Sequence, residues 1–256
     1  MTSHTKSIYG LIGNPLGHSF SRSFFNDKFK NENINAEYLN FELPDIGDLM
    51  EVIAEYPDLR GLNVTIPYKQ QVIPYMDSID AAAESIGAIN VIKIINDGSQ
   101  DVTLKGFNTD CIGFAESLRP LLSEAMTSAL VLGTGGASRA ICYALKQLGI
   151  NVTPVSRTAK EGRITYTDLT PEIMATHKLI VNTTPLGMYP DVHTCPDIPY
   201  QLLTPEHLCY DIVYNPEETE FMKRSAKYGA RTKNGLEMLH RQALAAWDIW
   251  QSSEKY

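Results

Sequence analysis

The sequence predicts an α/β protein with two domains, and three observations lead to this class. Short apolar segments alternate with segments of helical periodicity in the first part of the chain, which favours a parallel sheet there. Later in the chain, a glycine-rich turn joins an apolar strand to a helical stretch. A length of 256 residues with 43% hydrophobic content allows two small domains with real cores.

The first domain contains three predicted strands and two predicted helices. The strands cover residues 8–12, 36–43 and 59–65, and the helices cover residues 21–31 and 44–56. In the first helix, Phe24, Phe25 and Phe29 have spacings that place them on one face. Asp45 and Asp48 stand near the start of the second helix, where the helix dipole favours negative charge.

The second domain begins near Gly106 and continues the alternation. Strands are predicted over residues 129–132, 151–155, 178–182 and 208–213, with helices over residues 137–148 and 236–251. The last helix carries an apolar stripe formed by Leu236, Leu239, Ala243, Ala246 and Trp250. We interpret this stripe as core packing and expect the helix to return to the first domain. The predicted limits are 1–104 for the first domain, 105–234 for the second and 235–256 for the C-terminal helix.

Composition and charge exclude several classes of protein. With 20% charged residues and a net charge of −8, the chain is predicted neither to be disordered nor to bind nucleic acid, because phosphate binding needs a basic face. The N-terminus lacks the apolar core of a signal peptide, and no apolar run is long enough to span a bilayer. We therefore expect a cytoplasmic protein with no membrane and no nucleic-acid partner.

The cysteines and histidines do not form a recognisable metal site. Cys111, Cys142, Cys195 and Cys209 make no C-x-x-C pair and have no histidine cluster nearby, so we expect four reduced thiols. His18 stands in a glycine-containing turn beside serines, which favours a structural hydrogen bond over metal binding or acid–base chemistry. The sequence therefore predicts no metal.

The glycine-rich turn is a candidate dinucleotide site. Gly133, Gly135, Gly136 and Ala137 lie between a predicted strand and a predicted helix. Glycine permits a tight turn and a close approach of backbone N–H groups to phosphates, and the helix N-terminus adds a favourable dipole. Ser138 breaks the G-x-G-x-x-G spacing, so a glycine turn without a nucleotide stays open as an alternative.

The end of the next predicted strand favours NADP over NAD. An NAD site usually has an acidic residue there, about 20 residues after the first glycine. This chain instead has Ser156, Arg157 and Thr158, with Lys160 close behind. The flat guanidinium of arginine can make several hydrogen bonds to a 2′-phosphate. The alternative is a solvated arginine on a loop.

Seven short polar motifs follow one another along the chain. They are Ser19-x-Ser21, Asn63-Val64-Thr65-x-Pro67-x-Lys69, Asn108-Thr109-Asp110, the glycine turn, Asn182-Thr183-Thr184-Pro185-Leu186-Gly187-Met188, Tyr210-Asp211-Ile212-Val213-Tyr214-Asn215-Pro216, and Gly235-Leu236-Glu237-Met238-Leu239 with Gln242. Each motif is weak alone. In this order, and over nearly the whole chain, they resemble the shikimate dehydrogenase family.

The resemblance implies an N-terminal α/β substrate domain, a Rossmann-like NADP-binding domain, and a C-terminal helix that returns to the first domain. It implies an NADP-dependent oxidoreductase that reversibly reduces 3-dehydroshikimate to shikimate in aromatic amino acid biosynthesis. The expected ligands are then this small-molecule substrate and NADP, bound by a monomer or homodimer. Closure about hinges near residues 105 and 235 is a further expectation.

The resemblance also implies roles for individual residues. It gives Lys69 and Asp110 as the catalytic pair. The residues implied for substrate binding are Ser19, Ser21, Asn63, Thr65, Asn90, Tyr214 and Gln242, with both serines near the substrate carboxylate. The residues implied for cofactor binding are Gly133, Gly135, Gly136, Ala137, Ser156, Arg157, Thr158, Asn182, Thr183, Met188 and Gly235.

The chemistry of the implied pair is consistent with ketone reduction. Hydride delivery builds negative charge on the carbonyl oxygen, and a protonated Lys69 can hydrogen-bond that oxygen and then protonate it. A neighbouring Asp110 favours the charged form of the amine. Oxidation needs the neutral amine and should improve at higher pH. Without the surrounding motifs, two unrelated surface charges would be the alternative.

Some positions depart from the family pattern, and other functions stay open. The departures are Arg22, Val91, Ser156, Glu237 and Leu244. One alternative is a relative that acts on quinate or another cyclic polyol. Another is a non-catalytic NADP-binding sensor, although the presence of both Lys69 and Asp110 argues against it.

Overall fold

The computed structural model describes residues 6–17, 20–96 and 102–252. The chain divides into two units, the first formed by Met1–Thr109 with Ala243–Tyr256 and the second by Asp110–Gln242. Each unit contains a six-stranded sheet. The α/β class predicted from the sequence is confirmed.

Six strands form the sheet of the first unit. They are β1 Ser7–Gly13, β2 Ala36–Glu42, β3 Leu59–Val64, β4 Ser78–Ile79, β5 Val91–Ile95 and β6 Thr103–Phe107, in the order β2-β1-β3-β5-β6-β4. The parallel arrangement predicted for the first three strands is confirmed, whereas β5 is antiparallel to both β3 and β6. Residues 96–102 alone separate β5 from β6, which is fewer than a parallel crossover requires.

Three helices belong to the same part of the chain: α1 Phe20–Asn31, α2 Leu49–Glu55 and α3 Ala81–Ile86. The helix predicted over residues 44–56 begins as a 3-10 turn, Ile46–Asp48, before it continues as α2. Asp45 caps this turn, because its carboxylate accepts a 2.6 Å hydrogen bond from the Gly47 N–H. The acidic residue near the helix start therefore acts through a specific hydrogen bond as well as through the dipole.

The sheet of the first unit is covered on both faces. Alternate side chains of β1 point to opposite sides, so Ile8 and Ile12 contact the apolar core that includes residues of α2, whereas Tyr9 joins an aromatic cluster. That cluster includes Phe25, Phe29, Tyr38 and Trp250. The Phe25 and Tyr38 rings stack with centroids 4.8 Å apart.

The second unit contains a fully parallel sheet. Its strands are β7 Ser128–Leu132, β8 Asn151–Ser156, β9 Ile164–Thr165, β10 Leu179–Asn182, β11 Leu208–Asp211 and β12 Arg231–Lys233, in the order β12-β11-β10-β7-β8-β9. Counted within the unit, this is the 3-2-1-4-5-6 order of the Rossmann fold. The predicted Rossmann-like fold is confirmed. Ligands of such sheets bind outside the carboxyl ends of the strands, where the order reverses, which here is between β7 and β10.

Five helices follow in the chain: α4 Asp110–Leu118, α5 Gly136–Gln147, α6 Pro171–Thr176, α7 Glu220–Lys227 and α8 Leu236–Gln251. The C-terminal part of α8 belongs to the first unit, as predicted for the fold, because the Trp250 indole N–H donates to the Ile92 carbonyl at 3.0 Å. The buried Lys93 ammonium donates to Ile249 O at 2.9 Å and to Ser252 Oγ at 2.7 Å. These bonds hold the end of α8 on β5.

The core-packing interpretation of the α8 stripe is correct for Ala243, Ala246 and Trp250 but wrong for Leu236. Leu236 is 38% exposed because it begins the helix, ahead of the segment that packs in the aromatic cluster. Across the residues that the structure covers, none of the helices has the length and apolarity needed to traverse a bilayer.

Candidate functional site

The glycine turn lies at the carboxyl end of β7, beside the point where the strand order reverses. Gly133 has φ +109°, and a Cβ at this position would meet the Thr183 hydroxyl at 2.7 Å, so only glycine fits. Gly135 precedes α5, and a Cβ there would meet nothing within 4 Å. Open space above a helix N-terminus whose first turn has no acidic residue suits an anion such as a pyrophosphate.

The predicted phosphate clamp lies at the end of β8. Arg157 and Thr158 are exposed, whereas Ser156 is buried and its hydroxyl donates to the Thr158 carbonyl at 2.5 Å. Burial raises the pKa of the Tyr166 phenol, and the positive charge of Arg157 opposes this rise. Because the Ser156 hydroxyl bonds within its own loop, Arg157 and Thr158 are the members of the predicted clamp that stay exposed.

A buried polar network ties the loops that follow β10 and β11. The Asp211 carboxylate accepts from Asn182 Nδ2 at 3.0 Å, from the Val213 N–H at 3.1 Å and from the Thr219 hydroxyl at 2.6 Å. The Asn182 Oδ1 accepts in turn from the N–H and the hydroxyl of Thr184. Asn182 and Asp211 are 0% exposed, so each side chain is fixed by these bonds.

The charge of Asp211 is unusual for a buried group. Its three donors are neutral, and burial raises the pKa of the carboxyl to about 6 although the hydrogen bonds lower it. Desolvation therefore outweighs hydrogen bonding at this site. The nearby Cys209 thiol, whose pKa burial raises to about 12, stays protonated at neutral pH.

Two further predicted residues stand on the loops that this network holds. Met188 follows β10 and is 45% exposed, and Tyr214 follows β11 and is 38% exposed. The Tyr189 N–H donates to the Asn215 carbonyl at 3.1 Å, which joins the two loops. Gly235 packs directly on the Ile212 carbonyl, and its N–H donates to the Val213 carbonyl at 3.1 Å.

Asp110 and Gln242 stand on two helices of the second unit that pack closely. Asp110 begins α4 and is buried, and Gln242 lies on α8 and is also buried. The helices meet at Gly113, where a Cβ would lie 2.6 Å from the Met238 carbonyl. This close packing brings the start of α4 and the Gln242 segment of α8 to one side of the unit.

The first unit holds a cluster of buried amides at the ends of β3 and β5. The Asn90 Oδ1 accepts from the Thr109 N–H at 2.7 Å, and its backbone carbonyl accepts from the Val64 N–H at 2.8 Å. Asn63, at the end of β3, donates from Nδ2 to the Asn90 carbonyl at 3.4 Å. Two predicted substrate residues are therefore fixed side by side.

Lys69 and Thr65 belong to the turn that follows β3. The Thr65 carbonyl accepts from the Tyr68 N–H at 2.9 Å, and the Lys69 carbonyl accepts from the Ile89 N–H at 2.7 Å. The second bond places the Lys69 backbone beside the residue that precedes Asn90. The turn itself is fixed by the Tyr68 hydroxyl, which donates to the Leu43 carbonyl at 2.6 Å.

Ser21 stands in the first turn of α1 and hydrogen-bonds the Tyr38 hydroxyl. The other predicted serine, Ser19, and the neighbouring His18 lie outside the described residues. Within each unit, most of the described predicted residues lie at or just beyond strand ends, whereas Ser21, Asp110 and Gln242 lie on helices. Sequence reasoning missed Tyr38 and Thr219 and gave Asp211 no role, although the Asn-Thr-Thr and Tyr-Asp motifs themselves were noticed.

Comparisons with known proteins agree with this arrangement. The family model described as shikimate dehydrogenase substrate binding domain matches residues 11–92. The shikimate dehydrogenase (NADP(+)) of Methanosphaera stadtmanae is 36% identical over 262 residues, which cover 95% of this chain and 90% of that protein. The enzyme of Methanococcus aeolicus is also 36% identical, over 98% of this chain and 93% of its own length.

Solved structures give the same result. A shikimate dehydrogenase in complex with NADP+ matches with a TM-score of 0.87 and 31% identity, over 99% of this chain and 93% of that one. The chain's fold and its sequence thus match the same group of proteins from end to end. This chain belongs to the shikimate dehydrogenase family.

Proposed function

We propose that this chain is an NADP-dependent shikimate dehydrogenase that interconverts 3-dehydroshikimate and shikimate. The observation that carries the proposal is the similarity over 95% of the chain to a relative named shikimate dehydrogenase (NADP(+)). The Rossmann-type sheet, with a glycine turn at its switch point, supports a dinucleotide cofactor in particular.

NADP is assigned to the second unit. The pyrophosphate is placed over the N-terminus of α5, where Gly133, Gly135, Gly136 and Ala137 form the turn and the first helical residues. The 2′-phosphate is placed against Arg157 and Thr158, with Ser156 holding their loop. Asn182, Thr183, Met188 and Gly235 are assigned to the nicotinamide end. Support comes from their position at the carboxyl ends of β7, β8 and β10 and on the segments tied to them.

The substrate is assigned to the predicted first domain, residues 1–104, together with two residues further along the chain, and the cofactor to the predicted second domain, residues 105–234. The proposed substrate residues are Ser19, Ser21, Asn63, Thr65, Asn90, Tyr214 and Gln242. Amide side chains suit a polyol because each one both donates and accepts hydrogen bonds. The described members of this set that lie in the first unit are partly or fully buried at strand ends or in the first turn of α1, as a small polar ligand requires.

Lys69 and Asp110 are the proposed catalytic pair. In the reduction, NADPH supplies a hydride to the ketone carbon, and the Lys69 ammonium supplies a proton to the carbonyl oxygen. Asp110 has the role of orienting the amine in this proposal. In the oxidation, neutral Lys69 takes the hydroxyl proton while the hydride goes to NADP+. Each direction therefore moves one hydride and one proton.

Steady-state assays of the purified chain test this function. We expect NADPH absorbance to appear when shikimate and NADP+ are supplied, with a kcat/KM at least tenfold higher than with quinate or with NAD+. Equal rates with quinate would favour a broader polyol dehydrogenase. Tight NADPH binding without turnover of either acid would favour the non-catalytic sensor and contradict the proposal.

Compartment and assembly are part of the same proposal. We expect a cytoplasmic enzyme that works as a monomer or homodimer and takes only small-molecule ligands. Light scattering of the purified chain measures the oligomeric state, and a mass above that of a dimer would contradict this expectation.

A further inference from the structure

Tyr38 is a buried tyrosine of β2 whose ring is fixed by aromatic neighbours. It is 0% exposed and stacks on Phe25 of α1, with an interplanar angle of 10°. The centroids of the Tyr38 and Trp250 rings lie 6.4 Å apart. With the ring held in this way, the position of the phenol oxygen is set by packing.

The Tyr38 hydroxyl links two residues assigned above to the substrate. Its O–H donates to Asn63 Oδ1 at 2.7 Å. Its oxygen also accepts from the Ser21 hydroxyl, which opposes the rise in the Tyr38 phenol pKa that burial causes. One buried phenol thus connects α1 with the end of β3.

These bonds determine which group Asn63 can present to a ligand. A half-turn of the Asn63 amide would break the bond from the phenol and place Oδ1 against the Asn90 carbonyl, which is also an acceptor. The NH₂ group of Asn63 then faces away from Tyr38. It donates one proton to the Asn90 carbonyl in a long hydrogen bond of 3.4 Å. The second proton can serve an oxygen atom of a bound polyol.

We propose that Tyr38 is a positioning residue for shikimate: its hydroxyl holds the Asn63 amide and the Ser21 hydroxyl in the orientation that receives the substrate. This inference rests on the proposed function. Tyr38 itself has no substrate contact assigned to it and acts through its two partners.

Tyr9 provides a matched control within the same aromatic cluster. It is also buried, its ring lies 5.7 Å from Phe29, and its hydroxyl accepts from Gln251 Nε2 at 3.0 Å. Gln251 has no proposed ligand role. Tyr9→Phe and Tyr38→Phe therefore each remove one bonded hydroxyl from one cluster, and only the second touches the substrate residues.

Kinetics of the two variants test the proposal. For Tyr38→Phe we expect the KM for shikimate to rise about three- to tenfold, the scale of one or two lost neutral hydrogen bonds. We expect the KM for NADP+ to stay within about twofold of wild type, and Tyr9→Phe to leave both constants within the same range. An equal change in the shikimate KM for both variants would overturn the proposal, because the effect would then be general loosening of the cluster.

A double-mutant cycle with Asn63→Ala separates positioning from structure. If Tyr38 acts through Asn63, Tyr38→Phe should raise the shikimate KM much less in the Asn63→Ala background than in wild type. Additive effects contradict the inference. Should Tyr38→Phe not fold, Asn63→Asp tests the same orientation, since a carboxylate still accepts from Tyr38 but has no N–H to donate; an unchanged shikimate KM would then overturn it.

The outcomes distinguish this inference from the proposed function. Wild-type chain that turns over no shikimate contradicts the function and the positioning role that rests on it. An active wild type with an additive cycle contradicts only the role of Tyr38.

Discussion

The two units prepare their proposed ligand sites in different ways. In the second unit, the groups assigned to the phosphates are backbone amides of a glycine turn and the exposed side chains of Arg157 and Thr158. In the first unit, the groups assigned to the substrate include Asn63 and Asn90, which are 5% and 2% exposed and already hydrogen-bonded within the protein. In this proposal, charge and backbone N–H groups bind the phosphates of the cofactor, whereas fixed amides bind the hydroxyl groups of a small polyol acid.

This difference has an energetic consequence for substitutions. An exposed cation binds its ligand through charge, so its loss should weaken ligand binding and leave the fold intact. A buried side chain serves both fold and ligand, so its loss should affect both properties. Lys69, like Ser21 and Thr65, is only partly buried, so its loss should affect the fold less than the loss of Asn63 or Asn90.

The largest expected effect is at Lys69. Lys69→Ala should lower kcat by about 10²–10⁴-fold, the scale of lost general acid–base catalysis, with an unchanged melting temperature. Lys30→Ala, at an exposed lysine of α1, is the control and should leave kcat as in wild type. A fall in melting temperature as large as that of a core variant would instead identify Lys69 as structural.

Asp211 gives the next largest effect, and it concerns stability. Burial raises the folded-state pKa of the Asp211 carboxyl to about 6, above the ordinary value of about 3.9 for an aspartate, so the folded state favours the protonated acid. Stability from this group is fully present below about pH 4 and is lost as pH rises through about 6, by about 3 kcal/mol in all. This prediction sharpens the comparison between the two units. A change at the buried Asp211 of the second unit should alter stability, as changes at the buried amides of the first unit should.

Asp211→Asn removes the titration while it can keep the acceptor for Asn182 and Val213. Urea unfolding of both proteins between pH 4 and pH 7 should show the wild-type free energy of unfolding falling relative to that of the variant. Other titrating groups are common to both proteins and cancel in the difference. Parallel curves would mean that the Asp211 carboxyl titrates alike in the folded and unfolded chains.

Arg157→Ala should raise the KM for NADP+ by about 10- to 100-fold, the scale of charge-assisted hydrogen bonds, and should change the KM for NAD+ by less than about twofold. Arg224→Ala is the matched control, because Arg224 is an exposed arginine of α7 that pairs with Glu220 at 2.7 Å. An equal rise in the KM for NADP+ and in the KM for NAD+ would contradict the assignment of the 2′-phosphate to Arg157.

The smallest effect is expected at Glu237, a position where the chain departs from the family pattern. Its carboxylate pairs with Lys233 at 2.6 Å and with Arg241 at 2.8 Å, and these partners lower its pKa. The pairs are partly exposed, so Glu237→Ala should lower the free energy of unfolding by about 1 kcal/mol or less. The loss should shrink in high salt, and thermal melts of wild type and variant at low and high salt measure it.

Features that depend on residues close in the sequence were predicted more accurately than features that depend on residues far apart in it. The first three strands of the first unit, the strands β7, β8, β10 and β11 of the second and the final helix were predicted, because hydrophobic periodicity and glycine turns are local signals. The Rossmann-like fold of the second unit was implied by the family resemblance. The antiparallel strands β5 and β6 were not, and neither was the break of the predicted helix 44–56 into a 3-10 turn and α2. The apolar stripe was extended too far, since Leu236 is exposed.

By itself, the sequence determined the fold class, the glycine turn, the absence of a carboxylate after β8 and the order of the polar motifs, because each depends on neighbours in the chain. Only the tertiary structure decided that Tyr38 meets Asn63 across 25 residues and that Asp211 meets Asn182 across 29. Such pairs form because buried polar groups must find partners, and the partner is whichever group the packed strands bring within reach.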